Sequence, residues 1–338
     1  MTTNHQVKLA TRPQGLPGPE CWDLAEEPVA QPSEGEVLVQ TLFLSLDPAM
    51  RGWMNDARSY IPPVGIGEVM RAAGAGRVVA SQHPDWTEGD LVTGALGIQE
   101  YAVLDGSGLL RADPGLAPLP TWLGALGMTG MTAYFGLLDV GRPEAGQTVV
   151  VSGAAGAVGS VVGQIAKVNG CRVVGIAGGQ EKCRWLTDEL GFDAAIDYKA
   201  GNLGGDLREH TPDRIDVFFD NVGGETLDAA LGRLARGARV VICGAISQYN
   251  ATDGMRGPAN YLSLLVSRAR MEGFVVFDYA DRYQEAATKI AGWLDEGKLV
   301  AREDVVEGGV AAFPDVLLRL FAGENTGKLV LQVGEPGS

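Results

Sequence analysis

Three glycines, Gly153, Gly156 and Gly159, follow an apolar run and open a segment with helical periodicity (VVVSGAAGAVGSVVGQIAKVN, residues 149–169). Glycine lets a strand turn tightly into a helix, and it lets the backbone approach a pyrophosphate that binds the free N–H groups at the helix N-terminus. The spacing departs from strict G-x-G-x-x-G. The strand before the glycines, the helix after them and the strand that follows nevertheless supply the context that the motif requires. The sequence therefore predicts a dinucleotide-binding turn in preference to a turn without a ligand.

The segment after this turn carries the residues that distinguish NAD from NADP. An NAD site has an acidic residue about 20 positions beyond the glycines, and residues 171–180 contain neither Asp nor Glu. Lys182 follows, and its ammonium group could bind a 2′-phosphate. The alternatives are that Lys182 is an ordinary exposed lysine in a first helical turn, or that Glu181 serves an NAD site. The missing acid and the nearby cation together favour NADP.

Polar and aromatic residues also stand where several apolar runs end. Ligands of a doubly wound sheet lie at the carboxyl ends of its strands. Asn221 follows the run VFF, and Tyr249 closes the segment ICGAISQY after another run. The pattern indicates a lined crevice but does not separate cofactor contacts from substrate contacts. The residues at these ends are Gly178, Gly179, Tyr198, Asn221, residues 244–249 and residues 274–276.

The elements that must position these residues show two different sequence patterns. The first third is β-rich and punctuated by Gly and Pro, whereas apolar strands alternate with helices of about ten residues from residue 121 onward, which is typical of βαβ units and a parallel sheet. The tail returns to short strands around a helix. We therefore predict an α/β fold in which a doubly wound (Rossmann) cofactor domain, residues 125–302, is inserted into a β-rich domain made of residues 1–124 and 303–338. Within the cofactor domain the pattern predicts helices over 158–169, 182–190 and 225–234, and a last strand in MEGFVVFDY, residues 271–279.

Composition excludes several classes of function. The chain has 338 residues, and its 27 basic and 42 acidic side chains give a net charge of −15. Such a charge without a basic run disfavours binding to nucleic acid or to a membrane surface. Two uncharged stretches, 121–138 and 148–166, are interrupted by Gly, Ser or Thr, and the N-terminus lacks the apolar core of a signal peptide. The four cysteines, Cys21, Cys171, Cys183 and Cys243, match neither paired zinc ligands nor a secreted disulfide framework. We expect a cytoplasmic protein.

A series of longer motifs resembles the zinc-independent medium-chain dehydrogenases/reductases. Within them the chain is similar to the leukotriene 12-hydroxydehydrogenase/prostaglandin reductase group, which includes bacterial curcumin reductases and plant double-bond reductases. The motifs occur in the family's order and extend over nearly the whole chain. They are LSLDPAMRG (44–52), LGMTGMTAYFGLLDVG (126–141), GAAGAVGSVVGQIAK (153–167), EKCRWLTDELGFDAAIDYK (181–199), FDNVGGETLD (219–228), ICGAISQYN (242–250), MEGFVVFDY (271–279) and GENTGKLVLQV (323–333).

This resemblance implies a β-rich GroES-like substrate domain, a homodimer joined through the segment MEGFVVFDY, and NADP as the cofactor. It also implies that no metal takes part. The three histidines, His5, His83 and His210, are not near a cysteine in sequence, so the motifs offer no tetrahedral zinc site. By resemblance, the cofactor-binding residues are Met128, Thr132, Gly156, Ala157, Val158, Gly159, Lys182, Tyr198, Asn221, Cys243, Gly244, Ala245, Ile246, Ser247, Phe274, Val275, Val276 and Asn325.

The chemistry that the resemblance implies is hydride transfer from NADPH to the β-carbon of an α,β-unsaturated aldehyde or ketone. Charge then grows on the carbonyl oxygen, where a hydrogen-bond donor is the main contribution of the protein. Tyr249 is the candidate donor, and Tyr60 occupies the position of a substrate-side tyrosine in bacterial and plant members. Two alternatives remain. One is an NADPH quinone reductase of the same superfamily, and the other is a redox-inactive NADP-binding protein.

Overall fold

The computed structural model describes residues 2–335. The chain divides into two compact units: unit 1 consists of Met1–Gly124 and Glu303–Ser338, and unit 2 consists of Ala125–Arg302. Among the described residues, no helix has both the length and the apolar character needed to cross a membrane.

Unit 1 contains a two-stranded antiparallel hairpin, β1–β2, and a mixed sheet in the order β14-β15-β3-β4-β5-β7, with β6 also paired to β3. Strand β3 is buried along almost its whole length, because other strands flank it on both sides. The elements of unit 1 are β1 (Thr3–Leu9), β2 (Trp22–Pro28), β3 (Val37–Ser45), α1 (Met50–Trp53), β4 (Gly74–Ser81), β5 (Leu91–Gly94), β6 (Tyr101–Leu104), β7 (Leu110–Arg111), β14 (Glu303–Glu307), α9 (Phe313–Ala322) and β15 (Lys328–Gln332).

The core of unit 1 joins the two separate stretches of chain. Phe313 and Leu317 on α9 are fully buried against Leu44 of β3 and Met50 of α1. Helix α9 is strongly amphipathic, and it buries the face that carries these residues. The segment after residue 303 is therefore part of the same hydrophobic core as the first third of the chain.

Unit 2 contains a parallel sheet with the strand order β10-β9-β8-β11-β12-β13. Counted along unit 2, this is the order 3-2-1-4-5-6 of a Rossmann sheet. The predicted α/β class with a doubly wound sheet is confirmed. The elements of unit 2 are α2 (Met128–Phe135), β8 (Thr148–Ser152), α3 (Ala157–Val168), β9 (Arg172–Ala177), α4 (Gln180–Arg184), β10 (Ala194–Asp197), α5 (Leu203–His210), β11 (Ile215–Asp220), α6 (Gly224–Leu231), β12 (Leu234–Ile242), α7 (Ser263–Ser267), β13 (Arg270–Gly273) and α8 (Tyr283–Asp295).

The central strands of this sheet are apolar because helices cover both faces of a doubly wound sheet. Val149, Val150 and Val151 of β8 have no exposed surface, and neither do Phe218 and Phe219 of β11. The uncharged stretch 148–166 is therefore a buried strand, a turn and a helix within unit 2.

The predicted strand over residues 271–279 is wrong beyond Gly273. Strand β13 ends there, and Val276–Arg282 form a 3-10 helix. Phe274 turns inward to Gly136, where a side chain would have its Cβ 2.4 Å from the Phe274 Cζ atom. Tyr279 stacks on Phe135 at 4.6 Å between ring centroids. The aromatic rings of this segment therefore pack against α2 and the residue that follows it, Gly136.

Two of the predicted helices also differ in their details. The helix predicted over 182–190 begins earlier, as α4, and continues as a π-helical turn over Trp185–Glu189. The helix predicted over 225–234 is α6, which ends at Leu231 because β12 begins three residues later. Helix α3 lies within one residue of the prediction at each end.

Candidate functional site

The glycine turn between β8 and α3 is tightest at Gly159, where the backbone leaves no room for a side chain. Gly153 has φ +58°, and a Cβ on Gly159 would lie 2.4 Å from the Gly153 carbonyl oxygen. Gly156 is the N-cap of α3, so Ala157 and Val158 are its first residues. The first N–H groups of an α-helix have no carbonyl partner earlier in the helix. The turn can therefore bring backbone donors close to a phosphate group.

A buried carboxylate organises the strand end next to this turn. Asp220, the last residue of β11, is 1% exposed. One of its oxygens accepts the Ser152 hydroxyl at 2.7 Å, and the carboxylate also accepts the backbone N–H groups of Val222 and Gly223. Burial raises the pKa of Asp220 above its ordinary value, although these hydrogen bonds oppose the rise. The backbone N–H and side-chain amide of Asn221 in turn donate to Ser152, at 2.8 and 2.7 Å.

The loop that follows β12 is joined to the same strand end. The N–H groups of Cys243 and Gly244 both donate to the Asp220 carbonyl, at 2.9 and 3.1 Å. Farther along the loop, the backbone N–H and hydroxyl of Ser247 both donate to the Val222 carbonyl. Asn221 and residues 243–247, which the resemblance assigned to the cofactor, therefore lie together in unit 2. The sequence alone did not show that Asp220 and Ser152 hold them there.

Tyr249 lies in this loop with its hydroxyl turned back to the loop's own backbone. The phenol oxygen accepts the Ala245 N–H at 3.1 Å. Gly244 lets the ring come this close, because a Cβ there would lie 2.8 Å from that oxygen. Since the oxygen accepts a backbone N–H, the phenol proton is directed away from that donor.

The ends of β9 and β10 place Tyr198 and Lys199 beside the turn that leads into α4. A Cβ on Gly178 would lie 2.9 Å from the Tyr198 ring and 2.9 Å from the Lys199 Cε atom. Lys182 lies on α4. Tyr198 and Lys199 therefore lie together at this strand end, and Lys199 is a cation that the sequence motifs did not single out.

An acidic residue does reach this turn, although residues 171–180 themselves contain neither Asp nor Glu. Asp197, the last residue of β10, accepts the N–H of Gly179 at 2.8 Å and that of Lys199 at 3.0 Å. No sequence spacing from the glycines indicates this carboxylate, because it comes from the next strand of the sheet. Its oxygen bonds to the backbone of both turns and so holds the strand ends together.

A third part of the candidate site lies at the start of α2. The Thr132 hydroxyl donates to the Met128 carbonyl at 2.7 Å. The Tyr283 hydroxyl donates to the Val276 carbonyl at 2.9 Å, and the Met128 sulfur lies 3.6 Å from the same hydroxyl oxygen. Met128 and the segment containing Phe274, Val275 and Val276 are thereby brought together. Tyr283 was not among the residues predicted from sequence.

Two predicted residues, Tyr60 and Asn325, belong to unit 1. Tyr60 is 56% exposed on the loop after α1. Asn325 is half-buried before β15, and its amide donates to the Gly327 carbonyl at 2.9 Å. Their roles remain predictions.

The four cysteines are free thiols. Burial raises the pKa of the Cys243 thiol to about 12, so this side chain is protonated at neutral pH and is a poor nucleophile. Across residues 2–335 there is no group of three or more His, Cys, Asp or Glu side chains that could hold a metal ion.

Comparison with known proteins gives the family. Residues 5–112 match the model for the N-terminal domain of oxidoreductases, and residues 157–292 match the model for zinc-binding dehydrogenases. The chain is 48% identical over 338 residues to a putative NADP-dependent oxidoreductase, YfmJ, of Bacillus subtilis, covering 99% of each protein. It belongs to the medium-chain dehydrogenase/reductase family. The predicted family is therefore confirmed.

Two further relatives cover almost the whole chain. The NADPH-dependent curcumin reductase of Escherichia coli is 45% identical over 337 residues, which are 98% of this chain and 97% of that protein. The crystal structure of CurA in complex with NADPH from Vibrio vulnificus is similar with a TM-score of 0.93 and 46% identity, covering 98% of this chain and 100% of that one.

Proposed function

We propose that this protein uses NADPH to reduce the carbon–carbon double bond of α,β-unsaturated aldehydes or ketones. The observation that carries the proposal is the Tyr249 hydroxyl, which a backbone N–H holds in place at the carboxyl end of β12. The similarity to a curcumin reductase and to an NADPH-bound CurA supports both the cofactor and the reaction.

The residues of unit 2 fit such a cofactor, because Gly156 and Gly159 put no side chain between a phosphate and the backbone at the start of α3, and a Cβ on Gly159 would clash with the Gly153 carbonyl oxygen. When bound, NADPH would supply the hydride for the β-carbon of the substrate, and a proton from water or a tyrosine would complete the reduction at the α-carbon. The N-terminus of α3, from Gly156 to Gly159, would hold the pyrophosphate. Lys182 and Tyr198 would hold the 2′-phosphate. The ribose and nicotinamide would be lined by Met128, Thr132, Asn221, Cys243, Gly244, Ala245, Ile246, Ser247, Phe274, Val275, Val276 and Asn325.

Tyr249 would stabilise the charge that develops on the substrate's carbonyl oxygen. A phenol oxygen that accepts an N–H polarises its own O–H bond, since neighbouring hydrogen bonds strengthen one another. The Ala245 N–H therefore makes Tyr249 a better donor and fixes the position of its oxygen. Removing one such donor from an oxyanion site typically lowers kcat by about 10²- to 10³-fold. Tyr60 of unit 1 is proposed to contact the substrate.

Substitution of Tyr249 by Phe tests this proposal. The assay follows NADPH oxidation with 2-nonenal, curcumin, a quinone and a saturated aldehyde. We expect Tyr249→Phe to lower kcat for the enal and the enone by about 100-fold and to leave NADPH binding unchanged. Tyr261→Phe, which removes the hydroxyl of an exposed tyrosine in unit 2, is the matched control and should behave as wild type.

Other outcomes identify the alternative functions. Turnover of the quinone alone would contradict the proposal and indicate a quinone reductase. NADPH binding without turnover of any acceptor would indicate a redox-inactive binding protein. Undiminished enal turnover in Tyr249→Phe would exclude Tyr249 as the donor.

We also propose a homodimer formed through the β13 edge of the sheet. All four residues of β13 are exposed, and the strand is the last in its sheet order. Next to it, α7 exposes Leu265 and Val266, at 75% and 69%. An exposed strand edge beside exposed apolar side chains is typical of a surface that another chain covers. In sedimentation experiments the wild type should be a dimer, and the Leu265→Glu variant should dissociate at a higher protein concentration than the wild type does. A monomeric wild type would contradict the proposed homodimer.

A cytoplasmic location is proposed on chemical grounds. All four cysteines are free thiols, and Cys21, Cys171 and Cys183 are buried. Such thiols are typical of a reducing compartment. Fractionation of cells that express the protein would test this location.

A further inference from the structure

Tyr283, the first residue of α8, connects two segments that are far apart in sequence. Its hydroxyl donates to the Val276 carbonyl at 2.9 Å, and the Met128 sulfur lies 3.6 Å from that hydroxyl oxygen. Val276 begins the 3-10 helix after β13, and Met128 begins α2. One side chain therefore meets both segments at their first residues.

The Tyr283 ring is held by its neighbours. It packs against Phe135 at 6.4 Å between centroids, and Phe135 stacks on Tyr279 at 4.6 Å. The Arg282 guanidinium lies 4.9 Å from the centre of the Phe135 ring and pairs with the carboxylates of Asp139 and Glu285. Tyr283 therefore belongs to this aromatic group, and its hydrogen bond to the Val276 carbonyl sets the position of its hydroxyl. Burial raises the pKa of Tyr283, which keeps the phenol protonated as a donor.

We infer that Tyr283 is a positioning residue for the nicotinamide half of the cofactor site, because its hydroxyl holds Val276 and Met128 at a fixed separation. This inference rests on the proposed function, in which both residues line the nicotinamide. Tyr283 acts through these neighbours. Its loss should therefore weaken binding of the whole dinucleotide, while the adenosine half, proposed to bind at Lys182 and Tyr198, should bind as before.

The experiment compares two variants that each remove one phenol hydroxyl from the same aromatic group. Tyr283→Phe removes the hydroxyl that bonds to Val276. Tyr279→Phe is the matched control, because the hydroxyl of Tyr279 makes none of the hydrogen bonds found within residues 2–335. For each full-length variant, tryptophan fluorescence gives the Kd of NADPH and of 2′,5′-ADP, which carries only the adenosine half. Thermal unfolding is measured in parallel.

We expect Tyr283→Phe to bind NADPH about three- to tenfold more weakly, to bind 2′,5′-ADP as wild type does, and to unfold at nearly the wild-type temperature. Tyr279→Phe should bind both ligands normally. Equal weakening of NADPH and 2′,5′-ADP would overturn the inference, because it would indicate a general loss of structure. Normal NADPH binding by Tyr283→Phe would also overturn the inference. So would equally weakened NADPH binding by the control variant, Tyr279→Phe.

Failure of the proposed function would give a different result. A wild-type protein that binds neither ligand would overturn the proposed function and this inference together. A wild type that binds NADPH normally, with an unaltered Tyr283→Phe variant, would overturn the inference alone. Wild-type binding of NADPH without enal turnover, with weakened binding by Tyr283→Phe, would support the inference and contradict only the reaction.

Discussion

The carboxyl edge of the parallel sheet in unit 2 has two differently built regions. The inner strand ends, residues 220–223 and 243–249, are held by the buried carboxylate of Asp220. The outer strand ends, residues 177–182 and 197–199, are held by Asp197, whose carboxylate is half-buried. Each aspartate is the last residue of its strand and accepts backbone N–H groups from a turn. The two aspartates differ in their exposure to water, since Asp220 is buried and Asp197 is half-buried.

This difference separates two tasks of one binding site. The proposed chemistry takes place at the inner strand ends, where fixed donors require buried, satisfied partners. The proposed recognition of the 2′-phosphate takes place at the outer strand ends, where Lys199 is exposed and Lys182 is half-buried, so that a phosphate can replace water at these cations. Substitutions at the inner ends should therefore affect folding and kcat. Those at the outer ends should affect cofactor affinity.

The largest effect is expected for Asp220→Ala. Removing the carboxylate leaves the Ser152 hydroxyl and the N–H groups of Val222 and Gly223 without their acceptor. Unpaired buried donors cost about 1–3 kcal/mol each, so the free energy of unfolding should fall by about 3–5 kcal/mol. Urea denaturation measures this change, with the exposed Asp213→Ala as the matched control. A loss below about 1 kcal/mol would show that the inner ends do not depend on Asp220.

A smaller effect, limited to affinity, is expected for Lys182→Ala at the outer strand ends. Loss of a charge-assisted bond to the 2′-phosphate should raise the KM for NADPH about tenfold, with little change in the KM for NADH or in kcat. The difference between wild type and variant should shrink at high salt, since salt screens a charge that is partly exposed to water. Steady-state kinetics with both cofactors measure this. An equal rise for NADH would contradict the assignment to the 2′-phosphate.

Lys199 can be tested by the same steady-state kinetics, because its Cε atom and the Tyr198 ring both lie beside Gly178. If the outer strand ends use both lysines, Lys199→Ala should also raise the KM for NADPH selectively, by a smaller factor than Lys182→Ala.

Asp197→Ala compares the two carboxylates directly. Water can replace the lost acceptor for Gly179 and Lys199, because Asp197 is half-buried. We therefore expect the free energy of unfolding to fall by only about 1 kcal/mol, measured by the same urea denaturation as for Asp220→Ala. Equal losses for the two aspartates would remove the distinction between the inner and outer strand ends.

The smallest effect is expected at Cys243, on the inner side. Its pKa of about 12 lies above the ordinary thiol value of 9.0, so the native thiolate fraction stays low until the pH approaches 12. Alkylation by iodoacetamide at pH 8 should leave native Cys243 unmodified, whereas the urea-unfolded chain should react. Mass spectrometry of the digested protein identifies the modified cysteine. Rapid native labelling of Cys243 at this pH would contradict the raised pKa of its thiol.

Local patterns in the sequence predicted much of unit 2. A buried parallel strand needs a continuous apolar run, and a tight strand-to-helix turn needs glycine, so TVVVSGAAGAVG specified β8, the turn and the start of α3. The same reasoning failed for residues 274–279. Their apolar and aromatic character is equally suited to a strand, and only packing against Gly136 and Phe135 decides that they leave the sheet.

The sequence by itself determined the fold class, the family, the glycine turn and the order of the polar residues at the strand ends. These follow from periodicity, glycine conformation and extended motifs, which are all local in the chain. Only the tertiary structure decided that Asp197 reaches the turn at Gly179, that Asp220 joins Ser152, and that Tyr283 meets Val276 and Met128. The physical reason is that strand order and helix packing set these contacts, and no spacing within one segment encodes them.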